Sequence, residues 1–242
     1  MATVCAERSA RCQTTPAGLE LPYVRQPSNP RHRLCGAAAL AMIYRWWNSG
    51  GSGNDDLLCS TIATRINCSD GRGGSFARCH RLAADLNHAG IPTAALHATH
   101  PRGALLAGRY RGPPTHVKFR LRLDSPLGHF AVVAGIDDEQ LWLHDPQLGA
   151  EQPWERDQFL RHWQAGPMAS EIAGRGFLVS AAPRQVAGHP AIAWQSQRCH
   201  GCGRNYVVPC AWELLAKVRG VFCPGCDRGW QLRVQRPALQ ER

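Results

Sequence analysis

The sequence predicts an α+β fold: helices first, then a mostly antiparallel sheet, then a small cysteine-rich module. Three observations carry this prediction. The early runs "CGAAALAMIYRWW", "DDLLCSTIATRI" and "GSFARCHRLAADLNHAG" read as helices, with Gly-, Ser- and Asn-containing breaks between them. Between residues 91 and 180 the apolar residues fall instead in short, alternating, β-branched runs. Beyond Arg184, two Cys-x-x-Cys pairs stand with twenty residues between them.

Taken in order, residues 1–20 read as a loose arm. "LPYVRQPSNPRHR" is extended, because Pro22, Pro27 and Pro30 each disfavour helix in the residue before them. A helix follows from Gly36 to about Trp47 and is stopped by "NSGGSG". Two more helices come next, the second ended by Gly90. "IPTAAL" is a strand, and "HATHPRGALLAGRYRGPP" a short helix and loop. "THVKFRLRL", "GHFAVVAGI" and "LWLHD" are strands, "ERDQFLRHW" a short amphipathic helix, and "RGFLVSA" a closing strand. The predicted organisation is an arm at 1–20, a main domain at 21–183, a linker at 184–196 and the cysteine module at 197–236.

Composition narrows the class. Of the 242 residues 44% are hydrophobic and 19% charged, a balance that excludes a disordered chain. No apolar run is long enough to span a bilayer, and the first twenty residues lack the apolar centre of a secretory signal. The expectation is a soluble, cytoplasmic protein with no membrane partner. There its eleven cysteines, an odd number, are metal ligands, nucleophiles or buried thiols rather than a disulfide framework. The net charge is +10, and from Arg184 onward nine Lys and Arg face three Asp and Glu.

The chemistry of the main domain centres on three residues. Cys35 opens the first helix, where the positive dipole end and unpaired N–H groups favour a thiolate. His129 opens one strand and Asp145 closes the next, with "DD" or "DDEQ" turning between them. A two-residue turn sets Asp145 opposite Phe130 and diagonal to His129; a longer one slips the register by a residue or two. An imidazole oriented by a carboxylate can take the proton of a thiol. Taken singly, each residue has an ordinary explanation: a small core thiol, a surface histidine, an Asp-Pro strand end. Their joint order is what makes a catalytic set.

At these residues the chain resembles a known family. "LPYVRQ…LCGAAALAMIYRWW", "GHFAVVAGID", "LWLHDP" and "WERDQFLRHW" are similar, in the same order, to papain-like cysteine peptidases of the bacteriocin-processing type, which cleave leader peptides, often after a double glycine. The resemblance spans about residues 21–180. It implies a papain-like fold, with Cys35 as nucleophile, His129 as base, Asp145 as orienting acid and Gln26 as oxyanion donor. The family's glutamine lies six residues before the cysteine, whereas Gln26 lies nine before Cys35. Asn29 stands at the usual spacing, so the donor is Gln26 by context or Asn29 by position.

In the tail, Cys199 and Cys202, then Cys223 and Cys226, form two knuckles whose spacing fits one Zn²⁺ held by four thiolates, a zinc ribbon. Cys210 and His200 are spare ligands. The basic residues around it, Lys217, Arg219, Arg228, Arg233 and Arg236, suit a nucleic-acid or protein partner. Cys59, Cys68 and Cys79, with His80 and His88, match no ligand spacing and read as buried thiols. The predicted function is a cysteine peptidase acting on a peptide or protein substrate. The alternatives are a deamidase or acyltransferase using the same triad, or a non-catalytic peptide-binding zinc-ribbon adaptor.

Overall fold

Nine successive residues, Cys35 to Ile43, are buried. A helix that is small and apolar on every side is stable only in the middle of a protein, and the rest of the fold is arranged around it. The computed structural model describes residues 21–29, 32–48, 53–71, 73–100, 102–105, 114–125, 128–163, 175–182, 193–210 and 212–231; the predicted arm and most of the predicted linker lie outside them.

The central helix is α1 (Cys35–Trp47). Beside it, α2 (Asp55–Ile66) begins at Asn54, whose side chain accepts from the Leu57 N–H at 3.1 Å, with Asp55 and Asp56 in the first turn. Both features satisfy the positive helix start. After the hairpin β1 (Asn67–Ser69) and β2 (Ser75–Ala77) comes α3 (Cys79–His88). One carboxylate ties the three helices together: Asp85 on α3 takes both Nε and Nη2 of Arg65 from α2, at 2.6 and 3.0 Å, and the Tyr44 hydroxyl of α1 at 2.6 Å.

The strands then follow: β3 (Thr93–Ala98), β4 (Thr115–Phe119), β5 (His129–Ile136), β6 (Gln140–Asp145) and β7 (Gly149–Glu155). Helix α4 (Arg156–His162) precedes β8 (Gly176–Ser180). The tail holds β9 (Trp194–Arg198), β10 (Asn205–Pro209), the short α5 (Trp212–Leu215), β11 (Val218–Phe222) and β12 (Gly229–Gln231). The main sheet is antiparallel throughout, in the order β12-β11-β3-β8-β4-β5-β6-β7; β9 and β10 pair separately.

Alternation splits the core in two. Ala95, Phe130, Val132 and Leu178 pack with α1–α3, while Leu96, Ala131, Phe177 and Val179 pack on the other face with Phe159 and Trp163. Tyr206, Val208 and Leu214 of the tail join that second cluster. Phe222 of β11 belongs to the first, its neighbour Val221 to the second. The second hairpin of the cysteine module is thus built into the sheet that carries the main domain.

The α+β order agrees with the sequence prediction; several boundaries differ. "GSFARCHRLAADLNHAG" starts as strand β2, because Ser75–Ala77 pair with Asn67–Ser69 before the helix begins. "THVKFRLRL" leaves the sheet after Phe119, where the Arg120 N–H donates to the His162 carbonyl instead of to a strand. Trp194–Ser196, expected in the linker, pair with β10. Strand β7 escaped the sequence reading because Pro153 argues against a strand, but β7 is the sheet edge, where a missing N–H is tolerated.

A Cβ placed on Gly36 would lie 2.9 Å from the Cβ of Ala77. Gly36→Ala is therefore expected to destabilise the fold by about 1–3 kcal/mol through overpacking, read as a drop of several degrees in Tm by calorimetry. An unchanged Tm would contradict this close approach.

Candidate functional site

Helix α1 starts without a side-chain cap: Leu34 occupies the cap position and makes no such bond. Its first N–H groups are therefore available to a negative charge. Cys35 sits there, buried, and is hydrogen-bonded to His129 and to the backbone N–H groups of Gly36 and Phe130. Burial pushes the thiol up, but the charge and hydrogen bond of His129 and the two N–H groups outweigh it, so the Cys35 pKa lies below the ordinary thiol range. Burial by itself would lower His129; the Cys35 and Asp145 charges, with a hydrogen bond from the ring to each, raise it to about 9. Its Nε2 donates to Asp145 Oδ1 at 2.9 Å, leaving Nδ1 for the thiol.

Asp145 is fully buried. Burial pushes its carboxyl up, and the His129 bond and charge with the N–H groups of Gln147 and Leu148 bring it below the usual carboxylate range. Those two N–H groups reach Oδ1 at 2.8 and 3.0 Å.

The register explains how the strands deliver these residues. Ile136 pairs with Leu141, so four residues, Asp137–Gln140, separate the first ladder pair, the last of them already in β6; they are held by Asp137 Oδ1 accepting from the Glu139 and Gln140 N–H groups. A regular ladder from that turn would set Asp145 across from Val132, on the opposite face from His129. A bulge between Val133 and Gly135 shifts the pairing by one, and Val132 meets His144. One step on, Asp145 lies across from Ala131, diagonal to His129 on the same face.

The amide candidates separate. The Gln26 N–H donates to the Pro146 carbonyl at 2.9 Å, which keeps Gln26 beside the Asp145 turn. The Asn29 side-chain Oδ1 accepts from the His32 N–H at 3.0 Å, and Asn29 lines a groove with Leu34, Ser60, Thr64 and Asn67. Two residues not singled out in the sequence hold the Gln26 segment in place. The Tyr23 hydroxyl donates to the Asp145 carbonyl at 3.1 Å. His144 donates through Nε2 to the Leu21 carbonyl at 3.1 Å and accepts the Glu151 N–H on Nδ1 at 3.2 Å. No spacing in the sequence signals either.

The four tail cysteines meet. One ligand atom from each of Cys199, Cys202, Cys223 and Cys226 lies within 4.8 Å of all the others, a group that can hold a metal ion. Their closest approaches, Cys199–Cys226 and Cys202–Cys223, are both 3.7 Å, well beyond a disulfide bond. The Gly201 N–H points at Cys199 Sγ and the Gly225 N–H at Cys223 Sγ, each at 3.3 Å. Such bonds favour thiolate over thiol. Among the described residues this is the one metal-capable group of three or more such side chains. Cys59 and Cys79 are buried, and burial raises the Cys59 thiol to about 12. His80 pairs with Asp227 instead, at 2.9 Å. Cys210 is exposed.

No protein-family model matches the chain, and neither does any curated protein. Among solved structures it is similar to a putative C39-like peptidase from Bacillus anthracis, with 16% identity, TM-score 0.48, and 66% of this chain and 94% of the other covered. It is also similar to a double glycine motif protease from an AMS/PCAT transporter in complex with the leader peptide, with 15% identity, TM-score 0.47 and coverage of 67% and 92%. The peptidase domain of Streptococcus ComA, a bifunctional ABC transporter, gives 16%, 0.48, 67% and 98%. Among the described residues, no helix is long and apolar enough to cross a membrane.

The charges predict a pH profile for Cys35. Its lowered pKa keeps the thiolate present as pH falls below the ordinary thiol range, and the imidazolium persists until pH passes about 9. Iodoacetamide labelling followed by peptide mapping is expected to rise at a lower pH than for an ordinary thiol and to change again near 9. His129→Ala should move the rise toward alkaline pH. A single rise at an ordinary thiol pKa of about 8.5 in the unmodified protein would remove the charge pair.

Proposed function

We propose that this protein is a cysteine peptidase that cleaves a peptide bond through Cys35, His129 and Asp145. The observation that carries the reading is the hydrogen-bonded series Cys35–His129–Asp145 at an uncapped helix start. The Cys35 thiolate attacks the substrate carbonyl, and the oxyanion is met by the Cys35 N–H and the Gln26 side chain. His129 gives its proton to the leaving amine as the tetrahedral intermediate collapses to a thioester. It then takes a proton from water, which attacks the thioester, releases the acid and restores the Cys35 thiolate beside the protonated His129. Asp145 keeps Nε2 protonated and the ring oriented. Gln26 is favoured over Asn29 because its segment is strapped to the Asp145 turn, while Asn29 lines the groove with Leu34, Ser60, Thr64 and Asn67.

The four tail cysteines hold Zn²⁺ in this reading, since four thiolates around one point match its tetrahedral preference. The metal's role is structural: when bound, it fixes the two turns relative to each other. Among the described residues the cysteines are unpaired by disulfides, which suits the cytoplasm. The main unit runs over residues 21–183 and the ribbon over 197–236, offering a basic surface to a protein or nucleic-acid partner.

Incubation with a proteome-derived peptide library, with new termini read by mass spectrometry, is expected to reveal cleavage that Cys35→Ser and His129→Ala abolish. Gln26→Ala should lower kcat/KM by roughly 10²–10³ and Asn29→Ala should leave it nearly unchanged. No cleavage by a protein whose Cys35 still labels as above would move the reading to deamidation or acyl transfer. Elemental analysis should find one Zn per chain, lost in Cys223→Ser and Cys226→Ser; reduced protein without zinc would overturn the ribbon.

A further inference from the structure

The two cysteine turns, CHGCGR and CPGCDR, are built alike and differ at two residues, His200 against Pro224 and Gly203 against Asp227; the second difference is the one that reaches beyond the turn. In each, the N–H two residues after the first cysteine points at its sulfur, and the N–H four residues after it donates to its carbonyl (Gly203 to Cys199 at 2.8 Å, Asp227 to Cys223 at 3.0 Å). That last residue is left-handed in both, with φ +73° at Gly203 and +62° at Asp227. Glycine adopts this conformation freely; aspartate is one of the few other residues that tolerate it. The aspartate has a use that glycine could not serve. Its carboxylate reaches out of the module to α3, meeting Arg78 Nη1 at 3.1 Å and His80 Nδ1 at 2.9 Å.

Those two residues flank the start of α3. Arg78 is its cap residue and supplies no side-chain cap, so a carboxylate from elsewhere also suits the helix dipole. The preceding residue, Ala77, is the one whose Cβ leaves no room for a methyl on Gly36, and Leu82 on α3 lies 3.5 Å from the same point. Gly36 follows Cys35 and gives its N–H to the sulfur. From cysteine turn to nucleophile the path is Cys226, Asp227, Arg78 and His80, Ala77, Gly36, Cys35, with packed or bonded contact at every step.

We propose that Asp227 is a positioning residue through which the state of the four-cysteine site sets the reactivity of Cys35. When a metal holds the 223–226 turn, Asp227 pins the start of α3 and with it the packing of Ala77 against Gly36; without the metal the pin is released. The inference rests on reading Cys35 as an activated nucleophile, and it makes the tail a working part of that site.

The test follows iodoacetamide labelling of the Cys35 peptide at pH 6 in the full-length protein, with and without metal removal by a chelator under reducing conditions. Chelation is expected to slow labelling of Cys35 by about fivefold or more, within the usual range of coupling between sites, while buried Cys59 and Cys79 stay protected. Asp227→Gly keeps the backbone relaxed, so it should retain the metal, label Cys35 as slowly as the chelated protein, and respond no further to chelation. Arg78→Gln cuts the same contact from the α3 side and should do the same. Wild-type labelling in both variants overturns the proposal, as does slowing by chelation that comes with exposure of Cys59 and Cys79, since the module would then merely hold the fold. His129→Ala is the control: if it leaves Cys35 labelling unchanged, the nucleophile reading fails; if it slows labelling while the other arms do not, only the coupling fails.

Discussion

The Cys35 site depends on one close approach: the first turn of α1 lies against β2 and β5 with no side chain on residue 36. A buried thiol ordinarily resists ionisation. Here the same burial brings the sulfur within reach of the His129 ring and of the Gly36 and Phe130 N–H groups, and these more than offset the desolvation. The helix can sit so deep because residues 37–39 and 41 are alanine and need little lateral room. A larger residue near the start of the run would separate the helix from the sheet and the thiol from its partners.

Burial does not treat all histidines of this sheet alike, and the contrast isolates what charges His129. His116, fully buried beneath α1, has burial to lower it and only the Ala39 carbonyl to oppose that; its pKa falls to about 4 and it stays neutral. His144 is also lowered, chiefly by burial, and serves as a neutral clamp on the Leu21 carbonyl. His129 is buried too, yet is raised, because two anions are bonded to its ring, whereas His116 meets only a backbone carbonyl and the pull of Glu151 on His144 does not offset burial. A pair of opposite charges at one strand end, rather than depth, makes the difference.

The sequence revealed what local chemistry decides. The α2 boundaries follow from Asn54 and the acidic first turn, and the cysteine knuckles follow from spacing. The order Cys35, His129, Asp145 was also legible. What was not legible is the parity that brings Asp145 to the His129 face, since it needs both a four-residue turn and a bulge near Ala134, and "VVAGID" marks neither. Strand β7 was hidden by Pro153, which only an edge position permits. The Tyr23 and His144 clamps join residues over 120 positions apart, beyond the reach of any local pattern. For Asp227 the sequence held one faint sign: its counterpart in the first knuckle is Gly203.

The placement of the tail also follows from a general difficulty of sheets. Without β11, β3 would be the edge of the sheet, six buried or half-buried residues long, with unpaired N–H and C=O groups inviting a second chain. Covering it takes a strand, and a short segment such as Val218–Phe222 has too little apolar area to stay there unaided. The tail supplies support on both sides: His97 stacks on Phe222 with ring centroids 3.5 Å apart, and the cysteine turn begins at the next residue, Cys223. The strand that closes the sheet therefore runs directly into the metal-capable turn, and the residue that ends that turn reaches α3. Edge protection, two of the four metal-capable cysteines and the carboxylate that meets α3 fall on ten consecutive residues, 218–227.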